Sequence, residues 1–367
     1  MKGKKYYIFL GTTAELIKLA PVLAEFKKRS INYKVITSGQ TRVHFKMMED
    51  LTGPIKVDIS FKNKNPKPSV IYFVLWAMRT LIVGLFSLSR EFKNLNKNNC
   101  NFIVHGDTVS SLVGALLAKR FGLNLIHIES GLRSFNFFEP FPEEISRFLV
   151  SRISDVHFCP NEWSKRNLKD VPGIKINTLQ NTLIESFNWA INQSKRGKRV
   201  GKKKDRYFVL VVHRQEHVIF GKRQTREILE YLFEKSDNNI GCKFLVHDIS
   251  YGFVQNIITK FTSSDYNIEL ISRLPYPKFM KLILDSEYWV TDGGSNQEEA
   301  YYMGKPCLLL RNQSERIEGL GENIVLSKNK KSVIQNFLKY YKLHEKKRVS
   351  DNMFPSKIIV DYLTNTK

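Results

Sequence analysis

Short apolar runs that stop at polar or glycine residues constrain this chain more than any other feature. One run covers residues 102–104 and stops at His105-Gly106-Asp107, and another covers residues 125–128 and stops at Glu129. A helix-like stretch separates the two runs. Continuous apolar runs of this length are typical of strands that are buried on both faces, as in parallel sheets covered by helices.

Ligands bind beyond the carboxyl ends of the strands in open α/β sheets. We therefore expect Asp107 and Glu129 to lie side by side in one crevice. A third acidic position, Glu143, is expected on a loop that reaches the same crevice. Three carboxylates that face one crevice indicate more than simple solubility charges.

The alternation of apolar runs and helix-like stretches continues through all 367 residues, a length that suits two domains. We predict an α/β protein made of two doubly wound, Rossmann-like domains that face each other across a cleft. The first spans residues 1–172 and is completed by the C-terminal helix 355–367, and the second spans residues 173–354. The other predicted strands lie at residues 5–10, 33–37, 156–160, 207–212, 243–246, 268–271, 288–291 and 307–310.

The chain carries 58 Lys and Arg against 35 Asp and Glu, a formal net charge of +23. Such an excess favours anionic partners. No nucleic-acid-binding motif accompanies it, so we expect no nucleic-acid partner. Part of the excess is the basic run 195–206, which is either a solvated linker or a lipid-binding patch. The four cysteines are scattered and lack metal-type spacing, which is typical of free thiols in a reducing compartment. The N-terminal apolar run is too short for a signal peptide, so we predict a cytoplasmic protein.

Residues 70–88 are apolar on nearly every face, with Arg79 at the centre. A helix that is apolar all round is deeply buried or contacts something apolar. We consider a core or dimer-interface helix, a peripheral contact with the inner face of a membrane, and, least favoured, a transmembrane span. The basic surplus of the chain would fit the membrane contact.

In the second half, the segment Asp292-Gly293-Gly294-Ser295 follows a strand and opens a helix. Glycines let the backbone approach a ligand closely, and a helix N-terminus favours a diphosphate. Glu298 or Glu299, about one turn later, could accept hydrogen bonds from ribose hydroxyls. His213, His247 and Arg311 end the neighbouring strands, which supports a ligand site there.

Together these motifs resemble the UDP-N-acetylglucosamine 2-epimerase family, whose members have a GT-B-like fold. The resemblance covers most of the chain and is weakest at residues 55–100 and 185–205. The matching motifs are Gly11-Thr12 with Glu15, Lys18 and Pro21; His105-Gly106-Asp107-Thr108; Glu129 with Gly131-Leu132-Arg133; Pro142-Glu143-Glu144 with Arg147; His213-Arg214; Val246-His247; and Gln297-Glu298-Glu299-Ala300 with Gly304-Lys305-Pro306.

The resemblance implies inversion at C2 of a UDP-HexNAc by elimination and re-addition of UDP, in the synthesis of surface-polysaccharide precursors. It implies a catalytic set of Asp107, Glu129, Glu143 and His213. Carboxylates suit the task, because one can take the C2 proton while another returns it from the opposite face. The implied substrate-binding residues are Lys18, Gln40, Arg133, Arg214, His247, Gly294, Ser295 and Glu299. No cofactor or metal is expected, and a homodimer through residues 70–88 is implied by analogy.

Four departures from the family pattern fall where the nucleotide sugar is expected to bind. Thr13 replaces an arginine, Thr41 replaces a histidine, and Gly293 replaces a serine. His213-Arg214-Gln215-Glu216-His217 replaces His-Arg-Arg-Glu-Asn. The acidic residues that are expected to act on the sugar are kept. We therefore expect the sugar chemistry to be retained and the binding of the nucleotide sugar to differ.

Three readings remain open on the sequence alone. The first is the epimerase, including a hydrolysing variant that releases free sugar. The second is a membrane-associated GT-B glycosyltransferase in which Asp107 or Glu129 deprotonates a lipid-linked acceptor. The third is a non-catalytic protein that binds nucleotide sugars.

Overall fold

The computed structural model describes residues 4–61, 70–93, 95–195, 205–214, 221–246, 252, 255, 267–349 and 352–365. The chain forms two compact units. Unit 1 contains Met1–Ser186 and Asn352–Lys367, and unit 2 contains Phe187–Asp351. Most of the basic run 195–206 and His247 lie outside the described residues.

Unit 1 is built on a seven-stranded parallel sheet. Its strands are β1 (Lys5–Leu10), β2 (Tyr33–Thr37), β3 (Ile59–Ser60), β4 (Cys100–His105), β5 (Asn124–Ile128), β6 (Val156–Cys159) and β7 (Ile174–Asn177). They lie in the order β3-β2-β1-β4-β5-β6-β7. The order reverses between β1 and β4, which is where doubly wound sheets open a binding crevice.

Helices connect these strands. They are α1 (Thr13–Lys28), α2 (Glu49–Thr52), α3 (Val70–Phe92), α4 (Val109–Arg120), α5 (Glu143–Ile153), α6 (Glu162–Arg166) and α7 (Leu183–Lys195), together with α12 (Pro355–Asn365) at the C-terminal end. Residues 183–186 of α7 belong to unit 1, and the rest of α7 belongs to unit 2.

Unit 2 repeats the plan with a six-stranded parallel sheet. Its strands are β8 (Tyr207–Val211), β9 (Gly241–Leu245), β10 (Ile268–Ile271), β11 (Trp289–Thr291), β12 (Cys307–Leu309) and β13 (Ile324–Leu326), in the order β10-β9-β8-β11-β12-β13. Its described helices are α8 (Lys222–Lys235), α9 (Tyr276–Asp285), α10 (Gly294–Met303) and α11 (Lys331–Tyr340). The predicted class of two doubly wound α/β halves is confirmed.

The central strands were predictable because both of their faces are covered. All six residues of β4 and all five of β8 are buried. The prediction missed β3, β7 and β13. β3 has only two residues, and β7 is half exposed, with the mixed sequence IKIN, so neither shows a continuous apolar run. The sequence predicts residues 173–354 as the second domain, but β7 pairs with β6 inside unit 1.

The C-terminal helix α12 packs against α1 and closes unit 1. The Tyr6 hydroxyl donates a hydrogen bond to the Leu363 carbonyl at 3.0 Å. The Ser356 backbone N–H donates to the Glu185 carboxylate at 2.8 Å. The division of the chain after Ser186 lies beyond the boundary predicted at residue 172, because β7 and the start of α7 pack with unit 1.

Helix α3 is long and apolar enough, by length and composition, to cross a membrane. Only 22% of this apolar stretch is buried within the protein. Its exposed apolar side chains, here called the α3 face, are Val74, Leu75, Met78, Ile82, Val83, Leu85 and Phe86. The reading of residues 70–88 as a helix buried in the core is therefore wrong. The opposite side of α3, with Trp76 and Leu88, is the part that packs on the protein.

Candidate functional site

The loop after β4 is held by hydrogen bonds from β5. The Gly106 N–H donates to the Ile128 carbonyl at 2.8 Å, and the His127 Nε2–H donates to the Gly106 carbonyl at 2.7 Å. Gly106 has φ +65°, and a Cβ there would lie 3.2 Å from Glu129 Oε1. Burial and the neighbouring His157 lower the pKa of His127 to about 3, so the ring is neutral. Glycine at 106 thus lets the ends of β4 and β5 approach each other closely.

Glu129 lies at the end of β5 in a buried ion pair. Lys18 Nζ is 2.8 Å from Glu129 Oε1 and 2.7 Å from Oε2, and the two side chains are 7% and 2% exposed. Asn181 Nδ2 donates a further hydrogen bond to Oε2. The Glu129 carboxylate therefore accepts hydrogen bonds from one cationic donor, Lys18, and one neutral amide donor, Asn181. Lys18, assigned above to the substrate, here contacts Glu129.

Asp107 is linked to a second set of charges. Arg147 donates from Nη2 to Asp107 Oδ2 and from Nη1 to Glu144 Oε2, the latter at 3.1 Å. Arg133 Nε donates to Glu144 Oε1, and Glu144 is fully buried. Arg133 therefore organises the site through Glu144 in this structure. Glu143 is half-buried and is the first residue of α5, so its expected position on a loop is wrong.

The side chain of Glu15, in the first turn of α1, hydrogen-bonds to the backbone of the turn between β1 and α1. Glu15 Oε2 accepts hydrogen bonds from the Gly11 and Thr12 backbone N–H groups at 2.8 and 2.7 Å. Its other oxygen accepts from the Thr108 and Ser111 hydroxyls. Burial raises the pKa of Glu15, and these hydrogen bonds oppose the shift. In this structure, the backbone N–H groups of Gly11 and Thr12 are therefore satisfied by Glu15.

Two further residues near this turn connect loops to one another. Gln40 Oε1 accepts from the Ser110 N–H at 2.8 Å and so ties the loop after β2 to α4. The buried Thr13 hydroxyl donates to the Arg42 carbonyl at 3.3 Å and accepts from the His44 N–H at 3.1 Å. Where the family has an arginine, this chain therefore has Thr13, whose short side chain holds the backbone at Arg42 and His44 in place.

In unit 2, the buried Asp292 orients the end of β8. Its carboxylate accepts from the backbone N–H groups of His213 and Arg214 at 3.0 and 2.9 Å. His213 Nδ1 lies 3.2 Å from Asp292 Oδ1, and the His213 side chain is 37% exposed. A Cβ at Gly293 would lie 2.4 Å from Asn296 Oδ1 and 3.0 Å from His213 Cε1. Asn296 thus occupies the space that a serine at 293 would need.

The N-terminus of α10 carries no side-chain cap. Its first residue, Gly294, is buried, and Ser295 beside it is half-buried. The unsatisfied N–H groups of a helix start are suited to a diphosphate. Glu299, in the same helix, accepts from the Tyr276 hydroxyl at 2.8 Å and from Asn296 at 2.9 Å. Glu298 is completely buried and pairs with Arg316 at 2.8 Å, so only Glu299 is retained as a ribose candidate.

A buried charge cluster lies beside this helix start. Arg311 contacts Glu315 at 2.7 Å, and Arg214 contacts the same carboxylate at 3.4 Å. A Cβ at Gly294 would lie 2.4 Å from Glu315 Oε1, so the cluster requires glycine there. Glu315, Arg316 and Asn181 were not predicted from the sequence as residues of the site. The charged run that follows the apolar strand β12 was the available signal for the first two.

Comparison with known proteins gives a consistent result. The family model described as UDP-N-acetylglucosamine 2-epimerase matches residues 86–356. A UDP-N-acetylglucosamine 2-epimerase of Methanocaldococcus jannaschii is 30% identical over 345 residues, covering 90% of each chain. The enzyme of that name from Neisseria meningitidis serogroup A is 28% identical and covers 99% of this chain and 100% of its own length.

Solved structures give the same family. The UDP-GlcNAc 2-epimerase of Neisseria meningitidis, bound to UDP-GlcNAc, aligns with a TM-score of 0.82 at 28% identity and covers 99% of this chain and 100% of that chain. The Methanocaldococcus jannaschii enzyme in complex with UDP-GlcNAc and UDP aligns with a TM-score of 0.80 at 25% identity, with the same coverage of both chains. The family match over most of the chain and the 30% identity over nine tenths of it show that this protein belongs to the UDP-N-acetylglucosamine 2-epimerase family.

Proposed function

We propose that the protein interconverts UDP-GlcNAc and its C2 epimer, and so supplies a surface-polysaccharide precursor. The main observation is the pair of cation-bound carboxylates at adjacent strand ends of unit 1, Asp107 with Arg147 and Glu129 with Lys18. A general base must be ionised to accept a proton, and a neighbouring cation keeps a carboxylate in that form.

In the proposed reaction, a carboxylate removes the C2 proton while the C1–O bond breaks and UDP leaves with the bonding electrons. The product of this step is a 2-acetamidoglucal. UDP then adds back to C1, and a proton is delivered to C2 from the opposite face. Asp107 and Glu129 are the candidate bases, and Glu143 is the candidate acid for the return of the proton. The reaction as written has no net redox change.

The leaving diphosphate needs donors that stabilise its developing charge. We assign this role to the uncapped N-terminus of α10, through Gly294 and Ser295, and to the partly exposed His213 ring. Asp292 holds His213 by its backbone and lies beside its ring. Arg214 and Glu299 complete the nucleotide side, with Glu299 directed at the ribose. His247 remains a proposed ligand on the grounds of its sequence motif alone.

The function is tested by incubating purified protein with UDP-GlcNAc in D2O and following the sugar protons by NMR. We expect the C2 epimer to appear and deuterium to replace hydrogen at C2 in both epimers. A hydrolysing variant would instead release UDP and free sugar. Absence of both exchange and UDP release, with folded protein, would exclude the proposal and leave the glycosyltransferase and binding-protein readings.

We also propose that the α3 face pairs with its copy in a homodimer. Leu75, Met78, Ile82 and Leu85 follow the i, i+3, i+7, i+10 spacing of a helix–helix seam. Leu116 of α4 and Leu149 of α5 are further exposed apolar residues on helices of the same unit. A two-fold axis would place the same face on both sides of the contact.

The double variant Ile82→Glu/Phe86→Glu should convert the dimer to a monomer, because each copy would bury two carboxylates, four in the whole dimer, where the two α3 faces meet. Sedimentation velocity measures the change, and Leu343→Glu, at an exposed leucine of unit 2, is the matched control. A wild-type monomer would contradict the homodimer. Co-sedimentation of wild type, but not of the double variant, with anionic vesicles would assign the α3 face to a peripheral membrane contact instead.

A further inference from the structure

Asn181 connects the start of α7 to the buried ion pair of unit 1. Its side chain is 3% exposed. Asn181 Oδ1 accepts from the Leu183 N–H at 3.1 Å, as an N-cap does, and Nδ2 donates to Glu129 Oε2. Because a backbone N–H can only donate and an ionised carboxylate can only accept, the two contacts fix which end of the amide is oxygen.

The neighbouring residues hold the other member of the pair. The Thr182 hydroxyl donates to the Lys18 carbonyl at 2.6 Å, and the Ser186 hydroxyl donates to the Ile17 carbonyl at 2.5 Å. The first turn of α7 is therefore attached to α1 at the residue that supplies the ammonium group. One short segment contacts both Lys18 and Glu129.

We propose that Asn181 is a positioning residue that fixes the orientation and the ionised state of Glu129. Glu129 has φ +63°, so its backbone is in the left-handed region, and its carboxylate is held by Lys18 on one side and Asn181 on the other. An amide supplies a hydrogen-bond donor without adding charge, which leaves the Lys18–Glu129 pair neutral overall. The inference rests on the proposed role of Glu129 in the reaction.

The substitution Asn181→Asp separates the two functions of this side chain. Aspartate keeps the oxygen that caps α7, and it is as good an N-cap as asparagine. It removes the donor to Glu129 and places a second carboxylate against it. Like charges at this distance raise the pKa of one member of the pair, so the pair of carboxylates would take up its first proton at a higher pH.

The matched control is Asn161→Asp. Asn161 caps α6 in the same unit, where its side chain accepts from the Ser164 N–H at 2.8 Å. We expect Asn181→Asp to lower kcat by about 10- to 100-fold, the usual effect of losing a hydrogen bond to a charged group, with KM changed by no more than about two-fold. The acidic limb of the pH–rate profile should move up by about one unit. Asn161→Asp should match wild type in all three measurements.

Retention of wild-type kcat and an unmoved acidic limb in Asn181→Asp would overturn the inference. If Asn181→Asp does not fold, Asn181→Ser, which keeps a capping oxygen and is too short to reach Glu129 in the same way, should show the fall in kcat.

Thermal unfolding provides a readout that does not depend on activity. A carboxylate whose pKa is raised by folding destabilises the protein as pH rises, so Asn181→Asp should lose stability relative to wild type between about pH 4 and 7.

These measurements also separate this inference from the proposed function. If wild type fails to epimerise the sugar while Asn181→Asp shows the pH-dependent loss of stability, the proposed function is wrong and the positioning of Glu129 stands. If wild type is active and Asn181→Asp behaves like Asn161→Asp in kcat, pH profile and unfolding, the positioning role is wrong and the proposed function stands.

Discussion

Replacing Asp107 with asparagine should lower kcat for C2 inversion by about 10²- to 10⁴-fold, the usual contribution of a general acid or base. An amide cannot take up a proton from C2, yet its oxygen can still accept the hydrogen bond from Arg147 that holds Asp107 in place. The fold of the loop should therefore survive. Exchange of the C2 proton in D2O, measured alongside kcat, should fall in parallel.

The control for this variant is Asp155→Asn. Asp155 is also a carboxylate of unit 1 that contacts a cation, Lys119 at 2.8 Å, and it accepts from the Leu125 N–H at 2.7 Å at the start of β5, the end opposite Glu129. Its substitution should leave kcat within about two-fold of wild type, since surface changes away from the site have small effects. An Asp107→Asn enzyme that retained more than a tenth of wild-type kcat would remove Asp107 from the catalytic set.

Replacing Lys18 with methionine should destabilise the protein by about 3–5 kcal/mol, the usual cost of removing one partner of a buried ion pair. Both side chains of the pair are almost fully buried, so Glu129 would be left as an uncompensated charge. Urea denaturation of the full-length chain measures the loss of stability. The double variant Lys18→Met/Glu129→Gln should recover much of it, because a neutral amide no longer needs the ammonium group.

Lys119→Met is the comparison for this second prediction. It breaks the Lys119–Asp155 pair, whose side chains are 38% and 40% exposed, and exposed pairs contribute about 0–1 kcal/mol. A loss below about 1 kcal/mol for Lys18→Met would mean that water reaches Glu129 and solvates it. In that case, the ion pair with Lys18 would not be what keeps the Glu129 carboxylate ionised.

The central strands and the positions of the acids could be predicted from the sequence because both follow from local patterns. β4 and β5 are continuous apolar runs, and Asp107 and Glu129 follow them directly, so their place at one edge of the sheet needs only the rule for parallel strands. β7 was missed because its IKIN sequence is half exposed and carries no continuous apolar run.

The partners of these side chains could not be predicted, because they depend on long-range packing. Lys18 is 111 residues from Glu129 and Asn181 is 52 residues from it, and no local pattern selects one neighbour among several at the same sheet edge. The start of α5 at Glu143 was missed for a different reason. Pro142 precedes it without a capping side chain, so the usual N-terminal signal is absent.

The position of α12 in unit 1 has a consequence for synthesis on the ribosome. The strands of unit 1 are made before unit 2, but the helix that contacts Tyr6 and Glu185 is translated after residues 187–351 have been made. Unit 2 is thus complete in the nascent chain before unit 1 can close. Until residues 355–365 leave the exit tunnel, the surface of α1 that they cover is open to chaperones.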